Sequence, residues 1–125
     1  MLNLLLAGLG GFLGAAGRYG LSSLTQRWAG SGYFPVGTLV VNVLGCLVMG
    51  VLVGLAEARG PFTPHVRVLV LTGVLGGFTT FSAFGFETVE LFRVGQVGAG
   101  LLNVGLQLGL GLTAVWAGVM LGRLS

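Results

Sequence analysis

Four long apolar stretches constrain what this chain can fold into more than any other feature of its sequence. They run from about residue 2 to 25, 36 to 56, 66 to 92 and 97 to 121. A bilayer core about 30 Å thick is crossed by roughly 20 helical residues, so each stretch is long enough to span it as a helix. The spacing therefore predicts an all-α, multi-pass membrane protein with four transmembrane helices.

The composition supports lipid rather than water as the solvent. Charged residues make up 7% of the chain and hydrophobic residues 54%, whereas a soluble domain carries about 25% charged residues. The net charge of +3 does not indicate a nucleic-acid partner, because there is no lysine and the six arginines are scattered. These arginines are Arg18, Arg27, Arg59, Arg67, Arg93 and Arg123.

The connections between the stretches are short, which predicts a single domain, residues 1–125, without an extramembrane catalytic module. The polar or turn-rich separators are residues 26–32, 57–61 and 93–96. No basic region precedes the first apolar stretch, so we expect a retained first helix rather than a cleaved signal peptide.

The single cysteine, Cys46, excludes an intrachain disulfide and is interpreted as a small core residue. We expect no enzymatic activity.

Pairs of glycines spaced four residues apart recur in every predicted helix. This spacing places small residues on one helix face, where two backbones approach closely in lipid. The sequence therefore predicts a tightly packed assembly. The pairs are Gly10 and Gly14, Gly50 and Gly54, Gly73 and Gly77, Gly105 and Gly109, and Gly118 and Gly122.

The arginines do not specify one orientation in the membrane. With four crossings, one side carries Arg59, Arg67 and Arg123, and the other carries Arg27 and Arg93, with Arg18 near the end of the first stretch. A surplus of Lys and Arg normally marks the cytoplasmic side. The near balance has two interpretations: a dual-topology protein whose subunits pair antiparallel, or an uninformative count from few charges.

The third stretch carries the densest set of polar groups at residues 73–87. Gly76 and Gly77 are followed by the hydroxyl residues Thr79, Thr80 and Ser82. Unwound backbone at membrane depth is tolerated where it is buried in protein or lines a cavity, and its carbonyls can bind a small cation. A helix broken in mid-membrane is therefore favoured over one that is merely kinked, with hydroxyls bonded one turn back.

Two aromatic residues and one amide are candidates for lining an anion path. Phe81 and Phe84 share a face, where they either pack or present the positive ring edge to an anion. Asn42 either joins two helices or donates an N–H to a permeating anion, because a buried amide needs partners. Thr80 and Ser82 could donate hydrogen bonds to a dehydrating ion.

The remaining polar residues leave alternatives open. Asn103 and Gln107, four residues apart, could face the same path or join two helices. Arg18 could extend to the interface, pair with Glu87 or supply positive potential at a pore mouth. Glu87 and Glu90 are interpreted as a solvated or arginine-paired helix end, and His65 as an interfacial residue at a helix start.

Three segments together resemble the signatures of the CrcB/Fluc family of fluoride channels. Residues 10–19, GGFLGAAGRY, resemble its first-helix signature, and residues 35–45, PVGTLVVNVLG, its second. Residues 76–84, GGFTTFSAF, followed by Glu87, resemble the third. The motifs cover three of the four helices in order.

The resemblance implies a dual-topology homodimer in a prokaryotic plasma or inner membrane. Such a dimer passes fluoride passively out of the cytoplasm through two pores and holds a central sodium ion. It implies that the main-chain carbonyls of Gly76 and Thr79 bind the sodium. It further assigns pore roles to Asn42, Phe81, Phe84, Ser82 and Arg18. Ala83 departs from the family, which usually has a hydroxyl there, and Thr113 is the candidate fourth-helix site.

A proton-coupled transporter of the small multidrug resistance kind is the main alternative. That mechanism needs a carboxylate in the middle of a span. The first, second and fourth stretches have no Asp or Glu in their interiors, and Glu87 and Glu90 lie near a helix end. A structural subunit without transport activity would show the glycine pairs but would not need a broken third helix.

Overall fold

The computed structural model describes residues 1–30 and 32–125, and Ser31 of the first predicted connection lies outside them. Four of its hydrophobic segments are long and apolar enough to cross a membrane, which confirms the all-helical, four-span prediction. The helices are α1 (Leu2–Ala29), α2 (Val36–Arg59), α3 (residues 64–78), α4 (Phe81–Arg93) and α5 (Val97–Leu124). Helices α3 and α4 together make up the third span, Pro64–Arg93.

The first helix extends four residues beyond its predicted end, to Ala29, where Gly30 follows with a φ of 89°. A helix of 28 residues rises about 42 Å, which matches a bilayer of about 40–45 Å with its headgroups. The polar residues near this end therefore mark the exit from the hydrocarbon and not the end of the helix. Helix α2 likewise continues through Arg59.

Helix α3 is not a uniform α-helix. It begins after Thr63, whose side chain accepts a bond from the Val66 N–H, and Val68–Leu75 is π-helical. Helical structure stops at Phe78, and Thr79 and Thr80 have extended backbone angles of φ −81°, ψ 155° and φ −148°, ψ 116°. Helix α4 then starts at Phe81, with the Thr80 hydroxyl accepting the Ala83 N–H.

Four of the five predicted glycine pairs lie at close contacts between helix backbones. Helix α5 packs along α2, and a Cβ on Gly118 would lie 2.8 Å from the Val51 nitrogen. Helix α1 packs against α3, where a Cβ on Gly10 would lie 2.8 Å from the Gly73 Cα. The fifth pair, Gly105 and Gly109, has no atom of the described chain within 4 Å of such a Cβ.

Candidate functional site

Two cavities meet at Thr80. The first, here called the groove, has a volume of about 300 Å³ and lies between α2, the α3–α4 junction and α5. The second, here called the vestibule, has a volume of about 320 Å³ and lies between α1, α2 and α4. Residues that line the groove include Asn42, Cys46, Phe81, Phe84 and Gln107. Residues that line the vestibule include Arg18, Ser22, Thr38 and Glu87, and Thr80 lines both cavities.

The side chain of Asn42 pairs with the main chain of Thr80. Its Oδ1 accepts the Thr80 N–H at 2.8 Å, and its Nδ2 donates to the Thr80 carbonyl at 3.0 Å. Nδ2 also donates to Gln107 Oε1 at 3.1 Å. An amide group has two N–H donors, so both are used within the chain. Asn42 therefore satisfies the backbone groups that the interruption of the helix would leave unpaired.

The other carbonyls around the interruption divide into two groups. The Leu75 carbonyl accepts both the N–H and the hydroxyl of Thr79, each at 3.0 Å, and the Gly77 carbonyl accepts Arg18 Nε at 3.1 Å. Within the described chain, no hydrogen bond reaches the carbonyls of Gly76 and Thr79. These two are the carbonyls that the family resemblance assigns to sodium.

The two phenylalanines lie edge to face beside the groove. The ring centroids of Phe81 and Phe84 are 5.4 Å apart, with an angle of 66° between the ring planes. Phe81 is 80% exposed, whereas Phe84 is partly buried. The Ser82 hydroxyl lies 3.3 Å from the Thr80 hydroxyl, so two polar groups accompany the rings.

Glu87 is held by a hydroxyl rather than by an arginine. The Thr38 hydroxyl donates to Glu87 Oε1 at 2.7 Å, and Glu87 Oε2 is buried with no hydrogen-bond partner in the described residues. Arg18 lines the same vestibule but bonds to the backbone of α3. The interpretation of Glu87 as a solvated or arginine-paired helix end is therefore wrong. It holds only for Glu90, which pairs with Arg93 at 2.7 Å.

The two amides of α5 have different surroundings, although they are four residues apart. Gln107 lines the groove, and its Nε2 is buried without a partner in the described residues. Asn103 is 0% exposed and donates to the Thr88 hydroxyl at 2.9 Å. Thr113, the fourth-helix guess, is exposed and bonds to the Gly109 carbonyl. Sequence spacing identified the amides but could not separate the groove-lining one from the buried one.

Neither Cys46 nor His65 suggests a metal site. Cys46 is half-buried and lines the groove, so it is not the core residue that the sequence predicted. His65 is exposed in the first turn of α3, and its Nδ1 lies 3.0 Å from Asn3 Oδ1. Over residues 1–30 and 32–125, no three His, Cys, Asp or Glu side chains come together.

The fold and the two cavities define a small multi-pass membrane protein whose polar groups line spaces between its spans. The family model described as CrcB-like protein, Camphor Resistance (CrcB), matches residues 5–119, and the chain belongs to this family.

Similar proteins match along nearly their whole length. A fluoride-specific ion channel FluC of Nitratidesulfovibrio vulgaris is 50% identical over 124 residues, covering 99% of each chain. A protein of the same name from Methylobacillus flagellatus is 44% identical, covering 100% of this chain and 98% of its own. A third, from Ruminiclostridium cellulolyticum, is 42% identical and covers 98% and 94%.

Proposed function

We propose that this chain is a subunit of a fluoride-selective channel that lets cytoplasmic fluoride leave the cell down its gradient. The observation that carries the proposal is full-length similarity to proteins named as fluoride-specific ion channels, at 50% and 44% identity. A proton-coupled multidrug transporter is not favoured, because the similar proteins are channels. A channel of this kind catalyses no reaction.

The proposed fluoride path runs from the vestibule, past Thr80, into the groove. Fluoride is small and strongly hydrated, so a pore must offer replacement hydrogen-bond donors without holding the ion too tightly. Hydroxyls near the path and the amide of Gln107 supply such donors, and the positive ring edges of Phe81 and Phe84 add weak attraction. Arg18 keeps its charge and contributes positive potential at the vestibule, which the dipole of the Gly77 carbonyl reduces locally.

Along this path, the side-chain amide of Gln107 has N–H groups that make no hydrogen bond within the described residues and can therefore bind an anion. The predicted donor, Asn42, already gives both N–H groups to Thr80 and Gln107, so we assign it the task of holding the junction and the Gln107 side chain. Gln107 Nε2 is buried without a partner in the described residues and belongs to a groove-lining residue. An unpaired buried donor costs free energy, which an anion in the groove would recover.

The proposal includes a structural sodium ion bound by the carbonyls of Gly76 and Thr79. These carbonyls fit the role because they accept no hydrogen bond from the described residues, and main-chain oxygens of unwound helices bind sodium in other membrane proteins. The interruption would then lie at mid-membrane. We expect exchange of sodium for a much larger cation during purification to lower transport. Equal transport after verified sodium removal would contradict the site.

The proposed assembly is an antiparallel, dual-topology homodimer. Two observations support it: the arginine balance between the two sides, and an exposed Phe81 beside an open groove, which a second copy would cover. Tags at the two termini should be accessible from both sides of the membrane in comparable amounts. A single orientation at native expression levels would contradict dual topology.

The test of the function itself is ion efflux from liposomes that contain only the purified protein. We expect fluoride to leave along its gradient with no proton gradient imposed, and chloride to leave far more slowly. Liposomes without protein set the leak rate. Transport of a cationic drug driven by a proton gradient, without fluoride efflux, would instead favour the multidrug transporter.

A further inference from the structure

We infer that Asn103 and Thr88 act together as positioning residues for Phe84. The inference rests on the proposed function, because Phe84 is taken to border the fluoride path. Neither residue is among those that line the groove or the vestibule. Asn103 is 0% exposed and Thr88 6% exposed, so any effect on an ion in the groove must pass through another residue.

The connection to Phe84 is a chain of two hydrogen bonds. Asn103 Nδ2 donates to Thr88 Oγ1 at 2.9 Å, and Thr88 Oγ1 donates to the Phe84 carbonyl at 2.7 Å. A threonine hydroxyl bonded four residues back along a helix often bends the helix. Here Asn103 orients that hydroxyl from a different helix, so α5 fixes the turn of α4 on which the Phe84 ring is carried.

The burial of Asn103 supports a role beyond general adhesion between helices. Its Oδ1 is buried with no hydrogen-bond partner in the described residues, so only the Nδ2 atom of the amide makes a hydrogen bond. An apolar residue of similar size would avoid that cost. The one bond that the amide makes is the one that orients Thr88, which is what a positioning role requires.

Thr88→Val tests the inference because it keeps the shape of the side chain and removes the hydroxyl. We expect about a tenfold loss of fluoride efflux per assembled protein, less than the roughly hundredfold cost of a misplacement by about 1 Å in a positioned site. We also expect a higher chloride-to-fluoride ratio, and we expect Thr88→Ser to restore both values. Thr25→Val is the control, because Thr25 also donates to a carbonyl four residues back, that of Leu21, and its side chain lines neither cavity.

A second measurement separates positioning from simple satisfaction of buried groups. Fluorine NMR of 4-fluorophenylalanine at position 84 should show a shifted or broadened signal in Thr88→Val and the parent signal in Thr88→Ser. The double variant Thr88→Val with Asn103→Leu removes both polar side chains, so it leaves no unpaired amide or hydroxyl at this contact. If positioning is what matters, the fluorine signal and the chloride-to-fluoride ratio should stay altered, as in Thr88→Val. Parent behaviour in the double variant would overturn the inference.

The two proposals fail in different ways. If the parent protein conducts no fluoride, the channel function fails, while the NMR signal still reports whether Thr88 places the ring. If the parent conducts and Thr88→Val keeps the parent ratio and signal, the channel stands and the positioning role is wrong.

Discussion

Helix α2 takes part in two contacts that are built in opposite ways. Along α5 it meets glycines backbone to backbone, and at the α3–α4 junction its Asn42 pairs with extended main chain. The first contact contains no polar side chain at its closest points, and the second depends on a single amide. In lipid, where apolar side chains gain nothing by leaving the solvent, helices associate through close packing and through hydrogen bonds. In this protein the close glycine packing joins α2 to α5, and the hydrogen bonds of Asn42 hold the junction at the candidate site.

The largest expected effect comes from changing the amide at the junction. Asn42→Asp still accepts the Thr80 N–H, but it cannot donate to the Thr80 carbonyl or to Gln107. A carboxylate beside the groove also repels fluoride, by about 4 kcal/mol for two like charges about 4 Å apart at an effective dielectric constant of about 20. Repulsion of about 2.7 kcal/mol is enough to lower a rate about a hundredfold, so we expect efflux to fall by about two orders of magnitude. Parent-like efflux from a stable Asn42→Asp protein would show that the junction does not need the amide donor.

Changing a glycine at the α2–α5 contact should lower the stability of the protein without changing its ion selectivity. Gly118→Ala adds a Cβ 2.8 Å from the Val51 nitrogen, so the two backbones must separate. Overpacking of this kind costs about 1–3 kcal/mol, which thermal unfolding in detergent would detect. Gly98→Ala, on the same helix with nothing within 4 Å of the new Cβ, should be neutral or slightly stabilising. Equal unfolding of the two variants would contradict the close α2–α5 contact.

The smallest expected effect is at the exposed ring. Phe81→Ile keeps an apolar side chain of comparable bulk and removes the positive ring edge. Aromatic edge contacts are worth about 0.5–1.5 kcal/mol, so we expect a two- to tenfold loss of fluoride efflux with unchanged unfolding temperature. An unchanged efflux rate would show that the positive edge of the Phe81 ring is not part of the ion path.

The same contrast explains what could be predicted from the sequence. The spans follow from apolar length, and four of the five glycine pairs follow from their spacing, because both signals are local. The partner of Glu87 could not be predicted, since Thr38 lies 49 positions away on another helix. The different surroundings of Asn103 and Gln107 depend on where α4 packs, which no pattern within α5 records. The π-helical turns of α3 also leave no mark that hydrophobic spacing can detect.

The pairing of Asn42 with Thr80 has a genetic consequence. The Asn42 amide gives Thr80 the acceptor and the donor that a neighbouring β-strand would give. The backbone of the junction therefore depends on one side chain and not on a second extended segment. A damaging change at position 42 should therefore be compensated at position 107, whose side chain lies on α5, and seldom at position 80, which contributes only main-chain groups to the pairing. Second-site suppressors selected for growth on fluoride would map that dependence directly, 65 positions away from the original lesion.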